Sequence, residues 1–239
     1  MSDDSLAAVP VTAPPSESVS ARDLSTLFRR DASATDRARA LHAFGATVRV
    51  RLQDVTAAAS QGVDVVAERS APLLAEVVER LPIRRAEELR REFGVDAELV
   101  AERVIDDGAT LARWLWTAAK AIPAPELAVH AAKVVLHSAI EIRMVGELLE
   151  ARRDPDGDGA VTPLPTILEA WVRGTPDGPA WSTSSAVTVL VAQTRRALKD
   201  LRGSDGRFKG LMNRGREGGD IVRGFGEKLN HQLRQGAVS

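Results

Sequence analysis

The chain has 239 residues, of which 32 are basic, 33 are acidic and 44% are apolar, enough to bury one hydrophobic core or two small ones. It contains no cysteine, which excludes disulfides, iron–sulfur clusters, zinc–thiolate sites and cysteine nucleophiles, and it contains no tyrosine. Aromatic residues make up only 4%, fewer than expected for a protein that stacks on bases, so the composition does not favour a nucleic-acid partner.

The charge is distributed unevenly along the chain. Residues 1–20 carry three acids and no base, residues 21–194 carry 21 bases and 25 acids, and residues 195–239 carry 11 bases and 5 acids. The first 20 residues are also rich in Pro and Ser and resemble no secretory leader. We therefore predict a disordered acidic tail at 1–20, a helical body at 21–202, and a Gly-rich basic segment at 203–239 that ends in an amphipathic helix.

From residue 21 onward the apolar spacing predicts helices, with no alternating pattern typical of strands. The predicted segments run from Asp36 to about Ser60, Gly62 to Arg80, Arg84 to Phe93, Asp96 to about Ile122, Glu126 to about Arg152, a short helix to Val172, Ala186 to Leu201, and Asp220 to Arg234. The fold class is an all-α bundle with about six helices in the body.

Three residues and one group of glycines mark the helix boundaries or contacts most clearly. Gly94 is expected to end one helix in a left-handed conformation, and Asp96 is expected to cap the next. Gly108 lies in the apolar stripe of that helix and should let another helix approach closely. The glycines between 203 and 219 predict an irregular segment before Asp220.

Two short motifs resemble a known family. The run Glu141-Ile-Arg-Met-Val-Gly-Glu-Leu148 resembles the end of an apolar helix in EcsC-like proteins of high-GC bacteria, and Arg223-Gly-Phe-Gly-Glu-Lys-Leu229 is similar to the close of the same proteins. The likeness covers roughly residues 96–235 in the order of its elements. It implies an all-helical fold and a role linked to a membrane transport system, and it supplies no catalytic residue.

A polar stripe lies on the otherwise apolar helix that begins at Glu126. At 100° per residue, Glu126, His130, Lys133, His137 and Glu141 share one face. A metal site is one interpretation, because imidazole and carboxylate bind zinc or iron, but the two histidines lie roughly 10 Å apart along the axis and cannot share an ion. His137 and Glu141 could still hold one with ligands from another helix. We favour a ladder of ion pairs along the stripe.

The segment after this helix resembles the start of a calcium-binding loop. Asp154, Asp156 and Asp158 stand at relative positions one, three and five, and Gly159 stands at position six. Position twelve, where a bidentate Glu is required, is Pro165. A polar turn between helices explains the same residues, and we favour it.

The basic C-terminal segment is the third candidate, for binding an anionic surface. Its final helix could lie in a membrane interface or could dock on the body of the protein, and we favour docking. The basic residues concerned are Arg195, Arg196, Lys199, Arg202, Arg207, Lys209, Arg214, Arg216, Arg223 and Lys228.

The sequence favours a non-enzymatic interaction or scaffold protein. The motifs of nucleotide-binding loops, serine hydrolases and zinc proteases do not occur in it. Its most apolar stretch, Leu127 to Leu149, is interrupted by charged residues, so we predict no transmembrane segment, no cofactor and a cytoplasmic location that includes the membrane periphery. The expected partner is a protein or an anionic membrane surface. The alternative is a metal-dependent helical enzyme or metal-binding protein that uses His137 and Glu141.

Overall fold

The computed structural model describes residues 18–51, 63–119, 126–153, 161–174 and 215–235. For residues 63–69, 71, 126–128, 130 and 215–217 it describes the backbone alone. These ranges contain eight helices and no strand, so the all-α prediction is confirmed. The helices are α1 (Ala21–Phe28), α2 (Ala34–Arg51), α3 (Val63–Glu79), α4 (Ala86–Phe93), α5 (Ala97–Ala118), α6 (Glu126–Ala151), α7 (Leu164–Gly174) and α8 (Gly215–Arg234).

Helix α6 is the centre of the bundle. It contacts α2, α3, α4, α5, α7 and α8. Its residues from Ala131 to Leu148 are buried almost without interruption, as expected of a helix that is apolar nearly all round. The core therefore surrounds α6, and any polar side chain on this helix must find a partner inside the protein.

The predicted boundary between α4 and α5 is confirmed, although α4 begins at Ala86 instead of Arg84 and α5 ends at Ala118 instead of about Ile122. Gly94 has a φ of 105°, which an L side chain rarely adopts, and it closes α4. The Asp96 carboxylate accepts hydrogen bonds from the backbone N–H groups of Glu98 and Leu99, at 2.8 and 3.1 Å. Two local signals therefore place the corner between α4 and α5.

The start of α8 differs from the prediction. Residues 215–219 were expected to be irregular, and this is wrong, because the helix begins at Gly215. The reason is close packing against α5: a Cβ at Gly218 would lie 2.2 Å from the Trp116 ring, and a Cβ at Gly219 would lie 2.9 Å from the carbonyl oxygen of Ala109. Burial against α5 thus outweighs the low helix propensity of glycine.

The glycines also bring α5, α6 and α8 together at one crossing. A Cβ at Gly108 would meet Met144 and Val222, as the predicted close approach requires, and a Cβ at Gly226 would meet Ile105 and Met144. The two motifs that resemble the EcsC-like family, which contain Met144 and Gly226, are therefore in contact in the folded chain.

Several predictions lie outside the described residues. These are residues 1–17 of the tail predicted at 1–20, the end of the predicted helix after Arg51, the helix from Ala186 to Leu201 and the segment at 203–214. The last residues of the predicted tail are described: Val19 is buried and Ser20 caps α1.

Candidate functional site

A buried carboxylate lies between two arginines at the core of the bundle. Glu147 on α6 accepts hydrogen bonds from Nε and Nη2 of Arg84, at 2.9 and 2.7 Å, and from Nε of Arg143, at 2.8 Å. The side chain of Glu147 is only 3% exposed. Burial opposes ionisation of Glu147, but the charges and hydrogen bonds of Arg143 and Arg84 outweigh it and lower the pKa of the carboxyl group.

This ion pair extends toward the surface through Arg84. The Arg84 guanidinium also donates to Glu92 at 2.8 Å and to Asp107 at 3.3 Å. Burial disfavours the charge of Arg84, but its contacts with Glu147 and Glu92 prevail and raise its pKa. For Asp107 burial prevails instead: it raises the pKa of this carboxyl group more than the nearby arginines lower it. Arg30 pairs with the same two carboxylates, Glu92 at 3.0 Å and Asp107 at 3.7 Å.

Beside this network lies a cleft of about 330 Å³. Four arginines from different parts of the chain line it, together with Asp106, Asp107 and the ring of Phe28. We call it the arginine cleft; its arginines are Arg30 after α1, Arg37 on α2, Arg103 on α5 and Arg143 on α6.

Two of these guanidiniums have little to neutralise them. In the part of the chain that the structure describes, neither Arg37 nor Arg103 forms an ion pair. Arg37 donates through Nη2 to the carbonyl oxygens of Arg29 and Arg30, and its Nε is buried without a hydrogen-bond acceptor. Burial and the nearby charge of Arg143 lower the pKa of Arg37 more than the charges of Asp107 and Asp31 raise it. A cleft of this kind favours an anionic group.

The predicted polar stripe on α6 is partly described. His137 Nε2 lies 3.4 Å from Glu141 Oε1, and Trp171 Nε1 donates to Glu141 Oε2 at 3.0 Å. Trp116 Nε1 donates to His137 Nδ1 at 3.5 Å, and the Lys133 ammonium lies 5.2 Å from the centre of the Trp116 ring. Two tryptophans on neighbouring helices, Trp116 and Trp171, therefore contact the polar stripe.

These contacts bear on the metal interpretation. Both nitrogens of His137 and both oxygens of Glu141 face partners within the protein. Among the side chains that the structure describes, no group of three His, Asp or Glu residues could hold a metal ion. The side chains of Glu126 and His130 lie outside the described set, as do Asp154, Asp156 and Asp158 of the predicted loop. The metal and calcium sites stay predictions.

The C-terminal helix α8 is docked on the body. Val222, Phe225 and Leu229 are buried in the core, against α5, α6 and α7. Arg223 pairs with Asp106 of α5 at 2.6 Å, and the Lys228 ammonium donates to the carbonyl oxygen of Gly174 at 3.2 Å. The side chain of Arg216 is outside the described set. The remaining basic candidates lie outside the described residues altogether; they are Arg195, Arg196, Lys199, Arg202, Arg207, Lys209 and Arg214.

The sequence contains one signal for the network and none for the cleft. Arg143 and Glu147 lie one turn apart on an apolar helix, a spacing that indicates a buried ion pair in need of further partners. Arg30, Arg37 and Arg103 belong to three separate segments, and only the packing of α1, α2 and α5 brings them together.

Comparisons with known proteins add no assignment. No family model, no curated protein and no solved structure matches the chain. The resemblance to EcsC-like proteins stays a prediction. Within the described ranges, no helix combines the length and the apolar character needed to cross a bilayer.

Proposed function

We propose that the protein is a non-enzymatic interaction protein that binds an acidic protein partner through the arginine cleft. The observation that carries this proposal is the charge of the cleft, where four guanidiniums meet two carboxylates around one concavity. Arg37 and Arg103, which form no ion pair among the described residues, supply the excess. Guanidinium groups bind carboxylates and phosphates with paired hydrogen bonds, so an acidic group suits this site.

The shape of the cleft supports a protein partner over a membrane. A cleft of about 330 Å³ accepts a protruding side chain, whereas a lipid surface is flat and is better matched by an exposed basic face. The helix that could have inserted into lipid, α8, uses Val222, Phe225 and Leu229 in the core instead. Attachment to an anionic membrane surface is thus the weaker alternative.

The link to a transport system rests on the resemblance to EcsC-like proteins alone, and nearby transporter genes would support this part of the proposal. Their absence would remove the transport link without affecting the cleft.

A pair of labelled peptides tests the proposal directly. An oligoglutamate peptide should bind the protein, measured by fluorescence polarisation, and an oligolysine peptide of the same length should not. Replacing Arg103 with Ala should weaken oligoglutamate binding about fivefold, because an exposed ion pair contributes up to about 1 kcal/mol. Arg39→Ala is the matched control: it removes the same charge from an exposed ion pair with Asp36 outside the cleft, and should leave binding unchanged.

Besides a failure to bind any acidic peptide, two results would overturn the proposal. One is oligoglutamate binding that Arg103→Ala and Arg39→Ala weaken equally, since this would report net charge alone. The other is pelleting with phosphatidylserine vesicles that oligoglutamate does not prevent, since this would favour the lipid surface. Folding of each variant is checked by circular dichroism before binding is compared.

A further inference from the structure

The arginine cleft contains more hydrogen-bond donors than one carboxylate can use. Arg143 donates through Nε to Glu147 and through Nη1 to the carbonyl oxygen of Phe28, at 2.6 Å. The N–H groups of its Nη2 remain available to a ligand. Arg37 keeps a buried Nε–H without an acceptor, and Arg103 forms no hydrogen bond or ion pair among the described residues. The side chains of these three arginines, from α2, α5 and α6, line the same cleft. A carboxylate has only two acceptor oxygens, whereas a phosphate monoester has three.

The positive charge of the cleft is also larger than the single negative charge of one carboxylate. The four arginines and two aspartates of the cleft leave an excess of two positive charges. The residues that form ion pairs with them do not change this excess, because the two positive charges of Arg84 and Arg223 equal the two negative charges of Glu92 and Glu147. A phosphate monoester carries a charge of about −1.5 to −2 at pH 7 and three acceptor oxygens, so it matches both the charge and the donors.

The size of the cleft limits what can be attached to the phosphate. At about 330 Å³ the cleft is at the small end of ligand sites. Phe28 and Leu111 give it an apolar part, and Thr110 gives it a hydroxyl group. This space suits a phosphate on a short aliphatic chain, and it is small for a nucleotide.

From these observations we infer that the arginine cleft is a phosphate-monoester site that recognises a phosphorylated serine or threonine side chain of the partner. The inference rests on the proposed function, which requires only an acidic partner. Burial is the main cause that lowers the pKa of Arg37, and the charge of Arg143 adds to it. A bound dianion would offset the repulsion between these two guanidiniums.

Three peptides that differ at one position provide the test. They carry phosphoserine, glutamate or serine at the centre of an otherwise identical neutral sequence, and binding is measured by fluorescence polarisation. The phosphoserine peptide should bind at least about tenfold more tightly than the glutamate peptide, since charge-assisted bonds to a dianion exceed those to a monoanion. Arg103→Ala should remove most of this preference, and Arg39→Ala should retain it.

The outcomes separate this inference from the proposed function. Equal binding of the phosphoserine and glutamate peptides overturns the phosphate preference and leaves the acidic partner in place. Failure of oligoglutamate and all three peptides to bind overturns both. Free O-phosphoserine distinguishes the source of the phosphate: if it competes as strongly as the peptide, the site takes a small phosphorylated molecule, and the assignment to a protein side chain is wrong.

The pH dependence provides an independent readout. The second pKa of a phosphate ester is about 6, so binding should strengthen between about pH 5 and 7.5 relative to a sulfoserine peptide, whose charge stays at −1. The groups that face the cleft are Arg30, Arg37, Arg103, Arg143, Asp106 and Asp107, and they act on both peptides, so their titration cancels in the ratio of affinities. A ratio that stays constant with pH would contradict recognition of the dianion.

Discussion

Helix α8 offers two glycines that separate close packing from helix propensity. A Cβ at Gly219 would lie 2.9 Å from the backbone oxygen of Ala109, whereas a Cβ at Gly224 would meet nothing within 4 Å. Ordinary contact begins at 3.4 Å, so α8 must retreat from α5 by roughly 0.5 Å to admit the Gly219→Ala methyl group. A backbone oxygen cannot rotate away as a side chain can.

The expected energies follow from this difference. Both positions lie within α8, so replacing either glycine with Ala gains up to about 1 kcal/mol of helix propensity. Gly224→Ala should therefore raise the free energy of unfolding. Gly219→Ala should have a free energy of unfolding about 1–3 kcal/mol below that of Gly224→Ala, which is the usual cost of overpacking.

Urea unfolding followed by far-ultraviolet circular dichroism measures both variants against the natural protein. The slope with denaturant should be the same for all three, so that the midpoints report stability. If the two variants agree within about 0.5 kcal/mol, the contact between α5 and α8 is not as close as described, and the explanation for the early start of α8 is refuted.

Three further changes test the polar contacts of the core. Glu147→Gln should lower the free energy of unfolding in urea by about 3 kcal/mol, because two guanidiniums lose the carboxylate that neutralises them. The control Glu169→Gln, in an exposed ion pair, should lower it by less than about 0.5 kcal/mol. Similar losses in both would contradict the burial of this charge. The pKa of Glu150 is lowered because its hydrogen bonds outweigh burial, so its stabilisation is present above the ordinary pKa of 4.5 and is lost as the pH falls through the lower folded value. Glu150→Gln should therefore flatten the decrease of unfolding free energy in acid, and an unchanged slope would disprove this. Trp171→Phe removes the N–H donated to Glu141 and should lower the free energy of unfolding by about 1–3 kcal/mol. A thermal midpoint equal to that of the natural protein would contradict this.

The polar stripe shows how far spacing alone can be taken. Helical periodicity places His137 and Glu141 on one face, and the structure pairs them at 3.4 Å. The same periodicity contains no information about Trp116 and Trp171, which belong to other helices and complete the contacts of this pair. Whether two such residues are structural or bind a ligand depends on those other helices.

The glycines of α8 illustrate the opposite case, in which a local rule fails. Glycine has a low helix propensity, so residues 215–219 look irregular in sequence. In the fold, the missing side chains of Gly218 and Gly219 let α8 approach α5, and the buried surface compensates for the propensity. Gly94, by contrast, is predicted correctly because its role depends only on its own φ.

The sequence by itself determined the helical class, the corner between α4 and α5 and the apolar character of α6, because capping and periodicity act between residues a few positions apart. Only the tertiary structure decided where the charges go: it buried Glu147 between arginines of two helices and gathered Arg30, Arg37, Arg103 and Arg143 around one cleft. The physical reason is the distance along the chain over which each interaction acts. Local signals fix the direction of the chain, whereas the position of one helix beside another depends on contacts across the whole bundle.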